Sequence, residues 1–281
     1  MLKVLKLGLY TSIQDLGRWG FMKYGVPVSG AMDQLSAVKA NLLLNNNNNC
    51  ALIECTQQGP KLLFTKTTQI AICGADMSAQ INAIDAPLNT LLNIKANDIL
   101  HFRKLKYGYR TYIAVKGGFQ NSTVLGSRSY FQPLTKSNVF LKDELIEYDT
   151  INDFPPASTS SIAVNEKHFN NRLIQVTKGP EFELLNKQAQ AYLLNTDFTI
   201  GINNRMAYQL KELLPNKMPS ILTSAILPGT VQLTPSGKIL ILMRDAQTNG
   251  GYPRIFNLSE AAINQLSQKR LADVVQFELK N

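Results

Sequence analysis

The sequence predicts a mainly β protein, built of barrel-like domains with a few short helices, and three observations carry that expectation. Between Ala51 and Val115, short apolar segments alternate with turn residues: Ala51 to Thr56, Leu62 to Phe64, Gln69 to Cys73, Leu91 to Ile94, Ile99 to Phe102 and Arg110 to Val115. Ile239 to Met243 is a continuous apolar run of strand length, as expected of a strand buried on both faces. Helical periodicity is confined to a few short windows. With 281 residues, 44% of them hydrophobic, the chain can bury a full core in one large or two medium domains.

From the start, residues 2 to 14 alternate apolar and polar and predict a first strand that feeds a loop at Gln14-Asp15. A helix follows, with Ser29 as its cap, Asp33 in its first turn, and Ala31, Leu35, Val38 and Leu42 on one face. Asn45 to Asn49 ends it, because asparagine tolerates the left-handed conformation of a helix C-terminus; the run itself reads as an exposed turn. Lys116-Gly117-Gly118 and Gly126-Ser127-Arg128-Ser129 close this half with two loops that place basic residues and hydroxyls beside glycines, or with ordinary hairpin turns. Asn152 to Ser161 is rich in Pro and Ser without periodicity, which predicts a linker and two domains, 1–155 and 156–281.

The second half opens with a strand from Arg172 to Thr177. A helix is expected to start at Pro180 and to bury Phe182, Leu185, Ala189 and Tyr192. The order strand, Gly-Pro, apolar run occurs at Gly179-Pro180 and also at Gly59-Pro60, a hint that the halves are related. Strands continue through Thr230 to Leu233 and Ile239 to Met243. Ser259 caps a helix to Gln268 with Ala262, Ile263 and Leu266 inward, and the chain ends on a strand with Val275, Phe277 and Leu279 on one face.

Composition removes several functions. The balance of 29 Lys+Arg over 20 Asp+Glu is scattered among apolar residues, without an arginine-rich helix or zinc-finger spacing, so a solvated basic face is expected rather than a nucleic-acid interface. Cys50, Cys55 and Cys73 read as reduced core residues, and with His101 and His168 isolated in the sequence no metal site or histidine-based triad is expected. Lysines interrupt the apolar residues of Met1 to Gly8 before a signal core forms, and no run reaches membrane-spanning length. A cytoplasmic protein is expected.

Two polar, Gly-rich stretches concentrate the chemistry. Arg244, Asp245, Gln247, Thr248 and Asn249 follow the apolar run and precede Gly250-Gly251, where the backbone can approach a ligand closely. The same spacing also describes a plain turn with Arg244 paired to Asp245. Near the N-terminus, Gln14, Asp15 and Arg18 surround Gly17 and Gly20 beside Trp19, the only tryptophan. Loops of one character at opposite ends of a chain suggest a shared cleft.

With these pieces in order the chain resembles the family known as allophanate hydrolase subunit 2, or carboxyltransferase subdomain B, whose bacterial members include the C-type subunit of ATP-dependent 5-oxoprolinase. The carriers are Gln14-Asp15-Leu16-Gly17-Arg18, Ser29 to Asp33, Asn41, Glu54 with Gly59-Pro60, Gly117-Gly118, Gly126 to Ser129, Gly179-Pro180, Arg205-Met206 and Asp245 to Pro253. The resemblance implies cyclophilin-like β-barrel domains and a partner similar to the B-type subunit of 5-oxoprolinase. A third lactam-utilisation subunit then completes an assembly that opens 5-oxoproline to glutamate with ATP. It also implies alternatives: a carboxyltransferase half serving a biotin-dependent partner, or a regulatory antagonist of a kinase-inhibitor protein. Glycines of the family pattern are replaced at Asn45 and Ala207, Asn97 stands at a turn and Asn249 replaces a threonine. Ser137-Asn138 stand where the family has Gly-Arg, which removes one basic contact.

For lactam opening, the expected site sets Asp15 and Asp245 as base or water-positioning groups. Arg18, Arg128 and Arg205 are expected to hold anions, or alternatively to be ion-pair anchors. Gln247, Thr248, Gly250, Gly251 and Tyr252 complete the substrate loop, its backbone N–H groups facing a developing oxyanion. ATP is expected to act through the assembly, since Ser236-Gly237-Lys238 lacks the spacing of a phosphate-binding loop.

Overall fold

The computed structural model describes residues 1–152, 154, 161–219 and 221–280. The expected linker and the boundary after residue 155 fall largely outside this set. The chain divides into two compact units, one of Met1–Arg18 with Ser29–Glu166 and one of Trp19–Val28 with Lys167–Asn281. Trp19–Val28 therefore groups with the C-terminal half, which a single boundary in sequence cannot express.

The first unit holds β1 (Leu2–Lys6), β2 (Tyr10–Gln14), α1 (Gln34–Leu43), β3 (Leu52–Thr56), β4 (Lys61–Phe64), β5 (Thr68–Asp76), β6 (Ala79–Ile81), β7 (Ile84–Asp85), β8 (Leu91–Ile94), β9 (Ile99–Phe102), β10 (Tyr107–Val115) and β11 (Leu145–Ile146). The single strand expected over residues 2 to 14 is two. The chain turns at Gly8, where a Cβ would stand 2.3 Å from the Gln58 carbonyl oxygen. β1 thus joins a six-stranded sheet, β11-β1-β4-β9-β6-β7, and β2 a five-stranded one, β2-β3-β10-β5-β8.

Alternation along β5 and β10 builds two layers from one sheet. Ile70, Ile72, Ile113 and Val115 face the core that the two sheets share with Val4, Phe64 and Leu100. Ala71, Cys73, Tyr112 and Ala114 face the other way, onto Ala37 and Ala40 of α1. The helix starts where Asp33 accepts a hydrogen bond from Ser36 N at 3.1 Å, so Asp33 is the cap rather than Ser29. Its buried residues are Ser36, Ala37, Ala40 and Asn41, while Leu35 and Leu42 of the expected face lie exposed. Small residues let the helix approach Tyr112 and Cys73 closely. Asn45 is left-handed (φ 50°) as expected, but Asn46 is more than a turn residue, donating 2.8 Å to Val115 O and accepting 2.9 Å from Gly117 N.

The second unit holds α2 (Glu166–Asn170, of which Glu166 closes the first unit), β12 (Leu173–Lys178), α3 (Lys187–Asn195), β13 (Phe198–Asn203), β14 (Ala207–Leu210), β15 (Ser224–Ala225), β16 (Thr230–Leu233), β17 (Ile239–Leu242), β18 (Asn249–Gly250), β19 (Arg254–Leu258), α4 (Glu260–Leu266) and β20 (Val274–Leu279). The strands β12-β19-β16-β17-β14-β13-β20 close into a barrel, and β15 pairs with β18 as a separate two-stranded ribbon. Phe182, Phe256, Phe277 and Phe198 form a chain of ring contacts with centroids 5.1 to 5.5 Å apart. Each such contact contributes about 0.5–1.5 kcal/mol beyond its buried area. The mainly β expectation holds, with closure in the second unit and two facing sheets in the first. The helix expected from Pro180 begins later: Phe182–Leu184 make a 3₁₀ turn, and Asn186 caps α3 by accepting from Ala189 N at 2.8 Å.

Candidate functional site

The expected site residues belong to two groups, one in each unit. In the first unit, Asp15 directly follows β2 and is almost fully buried. Its Oδ1 accepts from Gly17 N (2.8 Å), Ser127 Oγ (2.7 Å) and Ser129 Oγ (2.7 Å), and its Oδ2 from Arg128 N (2.6 Å). A carboxylate held by four donors has its acceptor directions engaged and fixes the two loops together. The Arg18 guanidinium, also buried, donates to the Ser129 and Val124 carbonyls at 2.5 and 3.4 Å. That of Arg128 donates to its own loop at Asn121 O and Gln120 Oε1. Both arginines thus brace residues 120–129.

The remaining motif residues of this unit extend the same brace. Ala31 N donates 2.8 Å to Asp15 O, and a Cβ at Gly30 (φ 84°) would stand 2.7 Å from Gly17 N, so only glycine fits. Glu54, fully buried, accepts from Met32 N (2.7 Å) and Tyr112 Oη (2.9 Å). Burial and the Glu54 charge push the Tyr112 hydroxyl well above its ordinary pKa, which keeps it a donor. Beside the brace lies a cavity of about 520 Å³ whose wall includes Asn121, Val124, Tyr130, Lys136, Ser137 and Lys142. The same wall carries Lys136 and Lys142 together with Asp143 and Glu144, so it is mixed in charge around Ser137.

In the second unit, Asp245 follows β17 and pairs with Arg205, Nε to Oδ2 at 2.7 Å and Nη2 to Oδ1 at 3.2 Å. The main chain ties the same segments, Asp245 N donating 2.9 Å to Arg205 O. Arg205 is thus engaged by the candidate base rather than pointing its fork at a substrate. Arg244 does not pair with Asp245: it turns to α4, to Glu260 and to Asn264 Oδ1 at 3.2 Å. The two residues lie in a turn closed by Ala246 N to Met243 O at 3.1 Å, which sends their side chains to different partners although they are adjacent in sequence.

Beyond Asp245 the loop is mixed. Thr248 is buried with its carbonyl accepting from Ile226 N at 3.0 Å, Gln247 is exposed, and Tyr252 is 43% exposed. Neither Gly250 nor Gly251 has positive φ. Gly250 is crowded instead: its Cβ would stand 2.7 Å from Gln232 Nε2 and 2.8 Å from Ile226 Cδ1, the ends of two buried side chains that would have to shift. Gly251 would meet only Ile221 O, at 3.5 Å. Gln232, Ser224, Lys136 and Lys142 escaped the sequence reading. For Gln232 a signal existed, a lone amide inside the otherwise strand-like run Thr230 to Leu233.

A family profile described as carboxyltransferase domain, subdomain A and B, matches residues 24–279. The chain is 32% identical to the C-type subunit of 5-oxoprolinase from Haemophilus influenzae, over 99% of this chain and 91% of that protein. Among solved structures it superposes on the protein TTHA0988 with a TM-score of 0.87 at 25% identity, covering 99% of this chain and 56% of that one, so it spans just over half of that protein. Kluyveromyces lactis urea carboxylase gives a TM-score of 0.85 at 26% identity, over 98% of this chain and 27% of that one. Among the described residues no helix is long and apolar enough to cross a membrane.

Proposed function

Since the chain belongs to the family of carboxyltransferase domains, subdomains A and B, we propose that it is the C-type subunit of an ATP-dependent assembly that hydrolyses 5-oxoproline to glutamate. One observation carries the reading: likeness to the 5-oxoprolinase protein runs over 99% of this chain and 91% of that one, whereas the urea carboxylase match uses 27% of its chain. Its partners in this reading are a B-type subunit and a third lactam-utilisation subunit, and the assembly works in the cytoplasm.

Hydrolysis adds water to the lactam carbonyl and breaks the ring C–N bond, leaving a carboxylate and an amine. Asp245 is the carboxylate placed to orient that water and take its proton, and the two contacts from Arg205 fix its direction. Gly250 and Gly251 bring backbone close to the reacting amide, with Thr248 and Tyr252 as flanking contacts. Asp15 has a positioning role, holding the loop of Arg128 and Ser129. Arg18 and Arg128 are engaged within the first unit and Arg205 within the second, so the three act as braces in this reading.

The Ser236-Gly237-Lys238 stretch does not fit ATP. Ser236-Gly237-Lys238 forms the turn between β16 and β17, closed by Gly237 N to Thr234 O at 2.9 Å, rather than a loop opening a helix. Nucleotide binding belongs to the partners, and no step here runs through it.

The test is turnover of the co-expressed assembly carrying Asp245→Asn, followed as ADP and glutamate. A fall in kcat of about 100-fold or more is expected. Unchanged kcat would remove Asp245 from the chemistry. Biotin-dependent carboxyl transfer in place of glutamate formation would favour the carboxyltransferase alternative.

A further inference from the structure

Gln232 is 0% exposed, and neither Oε1 nor Nε2 has a hydrogen-bond partner among the described residues. A buried amide left in that state is costly, and an aliphatic side chain would fill a strand position without the penalty. Its place in the fold is informative. Val231 and Leu233, on either side, face the barrel core, so Gln232 lies on the outer face of β16, against the ribbon of β15 and β18. There the ribbon backbone covers the amide at Gly250, so closely that a Cβ would stand 2.7 Å from Nε2. Ser224, paired with Gly250 across the ribbon, adds a second buried group without a partner, its Oγ.

We propose that the Gln232 carboxamide recognises a cis-amide, of which a ring lactam is the class at hand, the ribbon moving off Gln232 as the ligand enters. A carboxamide presents an acceptor and a donor side by side in one plane. A lactam, locked cis by its ring, presents N–H and C=O on one edge, so the two pair through parallel hydrogen bonds, lactam N–H to Oε1 and Nε2–H to lactam oxygen. A trans peptide has these groups on opposite edges and makes only one of the bonds. Ring-opened glutamate, with an ammonium and a carboxylate, has no such edge, so the site separates substrate from product. The ribbon suits movement: its strands have two residues each, Leu222 beside it is 93% exposed, and its anchor is Ile226, packed on Leu242 and Ala246. The choice of a lactam rests on the function proposed above, but the pairing applies to any cis-amide.

The two can therefore fail separately. In the ¹⁵N-labelled full chain, the Gln232 side-chain amide signal is identified by its loss in Gln232→Met, or in Gln232→Leu should the first variant fold poorly. Titration with 2-pyrrolidone and with 5-oxoproline is expected to shift that signal. N-methyl-2-pyrrolidone, which lacks the N–H, and glutamate are expected to leave it in place. In the assembly, Gln232→Met is expected to raise the KM for 5-oxoproline about 10-fold or more, with the melting temperature held or raised. A signal unmoved by both lactams, or moved equally by the N-methyl compound, overturns the proposal. If the lactams shift Gln232 and the assembly forms no glutamate, the pairing stands and the lactam-opening reading falls. If the assembly turns over with an unchanged KM in Gln232→Met, the reverse holds.

Discussion

Asp245 and Arg205 show how a residue's partner decides what a substitution does. The pair is nearly buried and doubly bonded, so Asp245→Asn leaves Arg205 with a weaker acceptor, whatever it does to turnover. A loss of about 1–3 kcal/mol is expected in denaturant unfolding, and a double-mutant cycle with Arg205→Gln should recover part of it as coupling. Additive losses would show that the contact contributes little. Gly250 and Gly251 separate in the same way: Gly250→Ala forces a Cβ against Gln232 and Ile226 and should cost about 1–3 kcal/mol, while Gly251→Ala should stay within about 0.5 kcal/mol. Equal midpoints for the two variants would contradict this. The two glycines were legible in the sequence as a place of close approach, but the reason was not. The crowding at Gly250 comes from Gln232, distant in sequence, so no local pattern reveals it. Burial also pushes the Cys73 thiol up to about 12 and Cys55 further, leaving half-buried Cys50 as the thiol expected to react with a mild alkylating reagent in the folded protein.

Among the elements, the strands were the most readable, because apolar segments of four or five residues between turn signals have few other outcomes; Thr230 to Leu233 is the same in sequence and structure. The helices were read less well at their starts and faces. Leu35 and Leu42 looked like the buried face of α1, but the neighbouring sheet offers the flat surface of Tyr112 and Cys73, which takes Ala37 and Ala40. Asp33→Ala, which removes the cap's contacts to Ser36 N and Oγ at 3.1 and 2.6 Å, should destabilise the first unit by about 1–2 kcal/mol. β19 carries a pH dependence. Hydrogen bonds from Arg254, Nε at 2.9 Å and Nη2 at 2.7 Å, hold the Glu181 carboxyl below its usual range. Such a pair stabilises above the ordinary carboxylate pKa and is lost as pH falls through the lowered folded value. The stability difference between the protein and Glu181→Gln should therefore shrink as pH drops below about 4.5. A difference that is flat from pH 7 to pH 3 would contradict the assignment.

For the whole molecule, the family was legible from many short motifs in order, and the structure explains why those motifs exist in the first unit. Asp15, Gly17, Gly30, Glu54, Ser127 and Ser129 form one buried hydrogen-bonded brace, whose members come from separate stretches of sequence. Sequence does not reveal what a carboxylate accepts from, so Asp15 and Asp245 read alike although their partners differ. The grouping of Trp19–Val28 with the second unit was equally hidden, since it follows from contacts rather than composition. Whether this chain is a required subunit of a lactam-opening assembly is read by comparing the glutamate and ADP formed from 5-oxoproline and ATP by the partner subunits with and without it. Turnover is predicted only when the chain is present with its partners. Full turnover by the partners without it, or by the chain alone, would contradict the account.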